Sequence, residues 1–390
     1  MRASHVAQHR TDHACLVTAA HSNAKTLSID WGDGHHSQFH TVWLRDNCSC
    51  DQCGDHSGGQ RFFELNQLPD TLANRVALVD GMVQINWRAD GHITTYDPAW
   101  LRAHCYSDSE RAKRRPRPVT WDASITGKAP EADYATALDN DAELLKLYDS
   151  VRTYGICIVR NVPAHADATE QLAGLLSFVR ETHYGRVFEI KSVSKPTLIA
   201  NAPVSLRPHT DEGFRDPPPG IMIFHSIQAS EDGGGVSVMT DGFRLAEDFK
   251  KIHPEHYKLL TRVPVAQRRF IEGVGLRAEA PVIGLDYWGD VREFRLNERT
   301  TGPIDLPVDL IEPVYDALAA MFELAYDSRY HLHHLLQGGE ALVFDNARVL
   351  HARTGFNGNR HVRLTHVGSD EFYSRWRQLR YKLNGDINLM

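Results

Sequence analysis

Arg207-Pro208-His209-Thr210-Asp211, read together with Val349-Leu350-His351-Ala352-Arg353, decides the fold. In an extended strand, residues i and i+2 point to the same face. His209 and Asp211 therefore present an imidazole and a carboxylate side by side. His351 supplies a second imidazole, but only if the fold brings two distant strands together. Two histidines and one carboxylate take one face of a six-coordinate metal and leave the other positions open. That donor set suits non-heme Fe(II) and O2 chemistry. The flanks agree: Pro203 and Pro208 precede the motif, and the turn Pro219-Gly220 and the apolar run Ile221 to Phe224 follow it.

A second His-x-Asp, His165-Ala166-Asp167, has other surroundings. Asp167 and Glu170 have the spacing of a helix cap and its partner, and Leu172, Leu175, Leu176 and Val179 follow at helical intervals. That copy reads as a helix start. With 22 histidines in the chain, no single histidine decides anything.

Composition sets the bounds. The chain has 390 residues, 42% of them hydrophobic, enough for a large core and two domains. Its formal net charge of -7 argues against nucleic acid as a partner. The one basic run, Arg111 to Arg117, is short and contains Pro116, and reads as a solvated linker. No apolar run is long enough to span a membrane. The polar start, Met1 to Thr11, carries no secretory signal pattern, so a cytoplasmic location is expected.

Six cysteines are present, three of them in Cys48-Ser49-Cys50-Asp51-Gln52-Cys53. In a reducing compartment such a cluster reads as metal binding rather than as disulfides. Structural zinc takes four tetrahedral N/S ligands. His92, at the turn Asp90-Gly91, is the expected fourth ligand, with His56 as the alternative. A closed shell of this kind serves folding, not chemistry.

The chain is expected as an α+β protein: a small β-rich, zinc-binding N-terminal domain (1–105), a linker (106–135) and a jelly-roll domain (136–390). Alternating runs at Leu27 to Trp31, Val76 to Leu78 and Val83 to Trp87 read as strands, separated by Asp-Gly turns. Helical patterns cover Ala142 to Arg152, Phe243 to Leu260 and about Glu312 to Tyr326. Short apolar runs, ending with Ala341 to Phe344, suggest a double-sheet roll able to bring His209 to His351.

Several stretches together resemble the γ-butyrobetaine hydroxylase/trimethyllysine hydroxylase family of Fe(II)/2-oxoglutarate dioxygenases (TauD/TfdA-like). They are Trp43-Leu44-Arg45-Asp46-Asn47 running into the cysteine cluster, His209-x-Asp211, Gly234-Gly235-x-Ser237 leading to Asp241-Gly242-Phe243, and Leu350-His351-Ala352-Arg353 running to Arg360-His361. The resemblance covers nearly the whole chain. It implies a double-stranded β-helix catalytic domain, a zinc domain and a homodimer. It also implies Fe(II), 2-oxoglutarate and O2 as cofactor and cosubstrates, zinc as a structural ion, and succinate, CO2 and a hydroxylated small molecule as products. Residue by residue, it assigns iron to His209, Asp211 and His351, and zinc to Cys48, Cys50, Cys53 and His92. The far carboxylate of 2-oxoglutarate goes to Arg360 (Arg363 as the alternative) and Ser237, because a guanidinium fits a carboxylate as an ammonium does not.

The resemblance also frames the substrate. Known members act on small quaternary-ammonium zwitterions, whose N-trimethyl group is held on aromatic faces. Tyr184 and Phe188 match two such positions. Asn201 and His366 stand where the γ-butyrobetaine enzymes carry tyrosine. Asn297 and Arg299 fall in the segment that meets the substrate's anionic end. An added guanidinium there suits a doubly charged group, so 2-(trimethylamino)ethylphosphonate is slightly favoured. γ-Butyrobetaine, and with it carnitine biosynthesis, is the alternative. A non-catalytic iron/2-oxoglutarate sensor is the reading from another class, and the full set of ligands argues against it.

Overall fold

The computed structural model describes residues 15–23, 25–55, 59–191 and 201–386. The chain divides into two compact units, one built on the chain up to Pro116 and one on Arg117–Leu383.

Alternation builds the first unit. β1 (Val17–Ser22), β2 (Thr26–Trp31) and β3 (His36–His40) form one antiparallel sheet. β4 (Ala73–Val79), β5 (Met82–Trp87) and β6 (Ile93–Tyr96) form another. Leu27, Ile29 and Trp31 of β2 share one core with Val83, Ile85 and Trp87 of β5. Asp80 and Gly81 join β4 to β5 with φ of 50° and 76°, the left-handed pair that a tight hairpin turn requires.

The stretch expected as a linker carries structure. Helix Asp108–Arg114, capped by Ser107, takes most of the basic run, and Glu131–Asp133 is a strand of the second unit. The boundary falls between Pro116 and Arg117. Charge and proline had masked a short helix whose acidic first turn and basic last turn suit the helix dipole.

The second unit is a jelly roll. Its strands are β7 (Glu131–Asp133), β8 (Ile156–Arg160), β9 (Phe188–Lys191), β10 (Leu206–His209), β11 (Ile221–Gln228), β12 (Ser237–Asp241), β13 (Val265–Ile271), β14 (Val274–Ala280), β15 (His331–His334), β16 (Glu340–Asp345), β17 (Val349–Arg353) and β18 (His361–Val367). A six-stranded sheet runs β9-β18-β11-β16-β8-β7, and a four-stranded sheet runs β10-β17-β12-β15. Only β7·β8 is parallel within them. The sheets share a core: Ile156, Met222 and Phe344 from the large one meet Met239, Leu332 and Val349 from the small one. Long-range strand pairing thus does what the distant histidines require.

Helices α1 (Gly242–Ile252), α2 (Pro254–Leu260) and α3 (Val308–Ala325) cover the outer side of the small sheet, where Leu245, Phe249 and Met321 pack in a core with Leu350 of β17. The single helix expected over Phe243 to Leu260 is two. Proline cannot continue a helix but suits its first position, so the break falls at His253 and Pro254 opens α2. The second His-x-Asp copy is structural but not a capping box. Helix Ala166–Leu176 begins directly after His165, so Asp167 lies inside the first turn and makes no cap bond. Glu170 pairs with Arg186 at 2.8 Å instead. Among the described residues, no helix is long and apolar enough to cross a membrane.

A buried ion pair staples the roll three residues before His351. Arg348 Nε and Nη2 donate to the two oxygens of Asp241 at 2.9 and 2.8 Å, with side chains 2% and 0% exposed. Arg348 also donates to the carbonyls of Thr153 and Val119, and Asp241 accepts from the backbone N–H of Phe243 and Trp121. Removing one partner strands the other's charge. Asp241→Ala is therefore expected to cost about 3–5 kcal/mol of stability, measured by urea unfolding against wild type.

Candidate active site

β10 and β17 are neighbours, and His209 lies directly opposite His351. Asp211 follows β10 by two residues. Its oxygens stand 3.6 Å from His209 Nε2 and 3.5 Å from His351 Nε2. One ligand atom from each of the three residues falls within 4.8 Å of the others. His209 Nδ1 donates to the Arg207 carbonyl at 2.8 Å, which leaves the Nε2 lone pair for a metal. His351 is oriented by packing: Phe224 and Phe344 lie 5.0 and 5.4 Å from its ring.

The turn carrying Asp211 is held from three sides. Asn346 accepts from the Asp211 N–H at 2.8 Å and donates back to the Asp211 carbonyl at 3.0 Å. The Thr210 N–H donates to Leu296 O at 2.8 Å, and Asn297 Nδ2 donates to Thr210 O at 3.0 Å. Burial holds both imidazoles below their usual range and lifts the Asp211 carboxyl. Neutral imidazoles are the form a metal binds, and a cation would stabilise the buried carboxylate. The donors fit Fe(II).

Beside this triad sits a positive cluster. Arg360 is buried, and burial alone draws its guanidinium down to about 10. Arg353, two residues past His351 on β17, is also drawn to about 10, by burial first and then by Arg360 and Arg299. Ser237 is buried opposite Arg353. Gly235 makes the approach possible: its φ is +67°, and a Cβ there would stand 3.0 Å from Arg360 Cδ and Nε. Among the described residues no carboxylate pairs with Arg360, and a buried guanidinium of this kind fits a dicarboxylate ligand. The alternative, Arg363, is spent elsewhere: it pairs with Glu189 at 2.8 Å and donates to the Ala166 carbonyl. Arg360→Lys is expected to raise the KM for 2-oxoglutarate by roughly 10- to 100-fold, because an ammonium replaces the planar fork by a single point charge. Steady-state succinate formation measures it.

The residues expected at the substrate divide. Tyr184 and Phe188 meet edge to face, with ring centroids 5.3 Å apart. Burial raises the Tyr184 phenol; of the charges that reach it, Arg269 acts against the rise, and Glu212 and Asp211, the latter from the triad, add to it. His366 is buried, its Nε2 has no hydrogen-bond partner among the described residues, and its interaction with Asp211 places it on the same side. Asn201 Oδ1 is likewise buried, with no hydrogen-bond partner among the described residues. Arg299 is exposed, and its charge reaches His209, His351 and Arg353. Asn297 also has a structural role. Its amide is engaged at both ends, by Thr210 O and by the Arg299 N–H at 3.1 Å. It positions the triad's turn, and these bonds leave the amide its second N–H.

In the first unit, Cys48, Cys50 and Cys53 place their sulfurs 3.3, 3.5 and 3.7 Å from His92 Nε2. A tetrahedral N/S shell with zinc bond lengths separates its ligand atoms by roughly 3.5–3.8 Å, so the four donors fit zinc and close its shell. Burial pushes the Cys48 thiol up to about 11, and a bound cation would reverse that. Thr94 donates to Cys48 Sγ at 3.1 Å. Arg45 bridges Cys53 Sγ and Asp90 at 3.2 Å each, and Asp90 accepts from the His92 N–H at 3.0 Å. His56 lies outside the described residues.

Sequence reasoning missed Arg353, Asn346, Arg45 and Thr94. Arg353 was within reach, since it shares a strand face with His351. The other three act through long-range hydrogen bonds that leave no local pattern.

Comparison with known proteins follows the same division. The family described as taurine catabolism dioxygenase TauD, TfdA matches residues 113–366, and the gamma-butyrobetaine hydroxylase-like N-terminal family matches residues 18–88. The chain is 33% identical to the gamma-butyrobetaine dioxygenase of Pseudomonas sp. (strain AK-1) over 92% of its own length and 95% of that protein's. It is 29% identical to the trimethyllysine dioxygenase of Meyerozyma guilliermondii, with 94% and 96% covered, and 26% identical to the human gamma-butyrobetaine dioxygenase, with 96% and 100% covered.

Proposed function

The chain belongs to the TauD/TfdA family, within its γ-butyrobetaine and trimethyllysine hydroxylase group, and is a 2-oxoglutarate-dependent dioxygenase; on that premise we propose that it hydroxylates a small trimethylammonium compound with an anionic far end. The observation that carries this reading is the juxtaposition of three features: the His209–Asp211–His351 triad, the buried Arg360, and the Tyr184–Phe188 aromatic pair near Asp211.

His209, Asp211 and His351 would hold Fe(II). Bound there with 2-oxoglutarate and O2, iron supplies the oxidising power that exchanges a substrate C–H for C–OH as 2-oxoglutarate becomes succinate and CO2. The chain's own residues do the placing. Arg360 and Ser237 hold the far carboxylate of 2-oxoglutarate, and Gly235 leaves room for the guanidinium. Phe224 and Phe344 keep water from the His351 side. The faces of Tyr184 and Phe188 receive the trimethylammonium group by cation–π attraction, with His366 and Asn201 lining the remainder. Zinc at Cys48, Cys50, Cys53 and His92 would fix the first unit. A homodimer is expected and is read by size-exclusion chromatography with light scattering.

The anionic end separates two substrates. The relatives are named for carboxylates, γ-butyrobetaine and trimethyllysine. With one Asn297 N–H committed to Thr210, Arg299 is the anion's charged partner, and a full guanidinium charge supports a phosphonate such as 2-(trimethylamino)ethylphosphonate as the second reading. The test offers these three compounds and their unmethylated analogues with Fe(II), 2-oxoglutarate and O2, and measures succinate and hydroxylated product by mass spectrometry. Arg299→Ala is expected to raise the KM of the true substrate by about 10-fold or more. An unchanged KM would remove the case for phosphonate. Succinate without any hydroxylated product would sink the reading as a whole.

A further inference from the structure

The segment after Asp211 is more tightly fixed than a connecting loop needs to be. Glu212 adopts φ +49°, a conformation that L residues hold only when their surroundings enforce it. Its carboxylate pairs with Arg215, and the two side chains are only 12% and 14% exposed. At Gly213 a Cβ would stand 2.2 Å from Gln267 Oε1, so this backbone lies against the end of the Gln267 side chain of β13. Arg215 has a second partner. Its Nη2 donates to His183 Nδ1 at 2.6 Å. The His183 ring lies 3.8 Å from that of Tyr184, and Tyr184 meets Phe188. A parallel tie runs through Arg180, which donates to the carbonyls of Pro217 and Pro218 and whose N–H bonds to His366 O.

We infer that Arg215 is a positioning residue: anchored by Glu212, it holds His183, and through it the ring of Tyr184, at a fixed place relative to the metal-ligand turn. The inference rests on the proposal that Tyr184 and Phe188 wall the substrate site. Its physical content is twofold. A guanidinium donating to Nδ1 fixes the imidazole as its Nε2–H tautomer and sets the ring's plane, and that plane supports the phenol beside it. Glu212 also cancels a positive charge that would otherwise face an incoming trimethylammonium cation. The aromatic wall and Asp211 are thereby joined by one short run of side chains, so the distance from the cation's seat to the iron is set by Arg215 rather than by loop flexibility.

The test uses the full-length, iron-loaded enzyme. Arg215→Met is expected to raise the substrate KM about 10-fold, since small misplacements at a reacting centre are costly. The KM for 2-oxoglutarate should stay within two-fold, because Arg360 lies elsewhere. Arg215→Lys, which can still donate to His183, should recover part of the loss. His183→Phe should match Arg215→Met, and the double variant should be no worse than either single one. An unchanged substrate KM, or effects that multiply in the double variant, would overturn the inference. The second readout needs no substrate: in 3-fluorotyrosine-labelled protein, the 19F signal that disappears in Tyr184→Phe should shift in both Arg215→Met and His183→Phe. If wild type turns over none of the trimethylammonium compounds, the substrate proposal fails by itself, and an unmoved Tyr184 signal still decides against the role given to Arg215.

Discussion

Asp211→Ala is expected to abolish coupled turnover, with succinate and hydroxylated product both falling by at least about 10³-fold, beyond the 10–100-fold typical of losing an outer partner of a metal ligand. Asp211 is the only carboxylate in the triad. Without it, two neutral imidazoles remain, and the buried centre loses the negative charge that would offset the iron's. Asp211→Glu should restore little. Asn346 clasps the Asp211 backbone through both its N–H and its carbonyl, so the turn cannot withdraw to accommodate an extra methylene. Fe(II) titration separates lost metal from lost chemistry: Asp211→Ala should bind Fe(II) far more weakly. The fold should survive, because the roll's core and the Arg348–Asp241 staple do not involve Asp211. Wild-type activity in Asp211→Ala would remove the triad from the reaction.

The second large effect lies in the first unit. Stripping zinc with a strong chelator, or Cys53→Ala, is expected to unfold that unit. Structural zinc contributes on the order of 10–16 kcal/mol in small zinc-finger peptides, more than a sheet pair of this size can replace. The core of Leu27, Ile29, Val83, Ile85 and the tryptophans is real, but among the described residues from Cys48 to Arg61 the strands are two of two residues each. Cys53→Ala also takes from Arg45 one of its two polar partners among the described residues, leaving Asp90. Loss of the first calorimetric transition while the second persists is the expected signature. One zinc per chain by elemental analysis of the untreated protein is the companion measurement, and a metal-free sample with an unchanged unfolding profile would count against zinc.

Most of the fold was legible because its signals are local. The period-2 runs at Leu27 and Val83, the Asp-Gly turns and the helical run from Ala142 all follow from side-chain alternation and turn chemistry. The candidate iron triad was legible for another reason: i, i+2 geometry pairs His209 with Asp211, and a roll is able to deliver His351. What stayed hidden was set by partners far along the chain. Asn297 looked like a free amide until Thr210 was seen to take one of its N–H groups. Arg360 came first by resemblance with Arg363 as its alternative, and it takes the Glu189 pair and the Ala166 carbonyl, both distant in sequence, to show that Arg363 is engaged elsewhere. The helix at Asp108–Arg114 was concealed because a basic run with nearby prolines reads equally well as linker, and its capping serine needs the backbone geometry to be recognised.

The burial of Arg360 beside Arg353 has a consequence for the protein's lifetime. Burial disfavours the Arg360 guanidinium, and its charge in turn disfavours that of Arg353. A ligand that binds only the native state stabilises it in proportion to the logarithm of its concentration over its Kd, and here it also offsets a penalty already built into the empty fold. The population that opens and becomes open to proteolysis then depends on how much 2-oxoglutarate the cell holds. A cell short of 2-oxoglutarate would hold fewer copies of this enzyme, as well as running each of them more slowly.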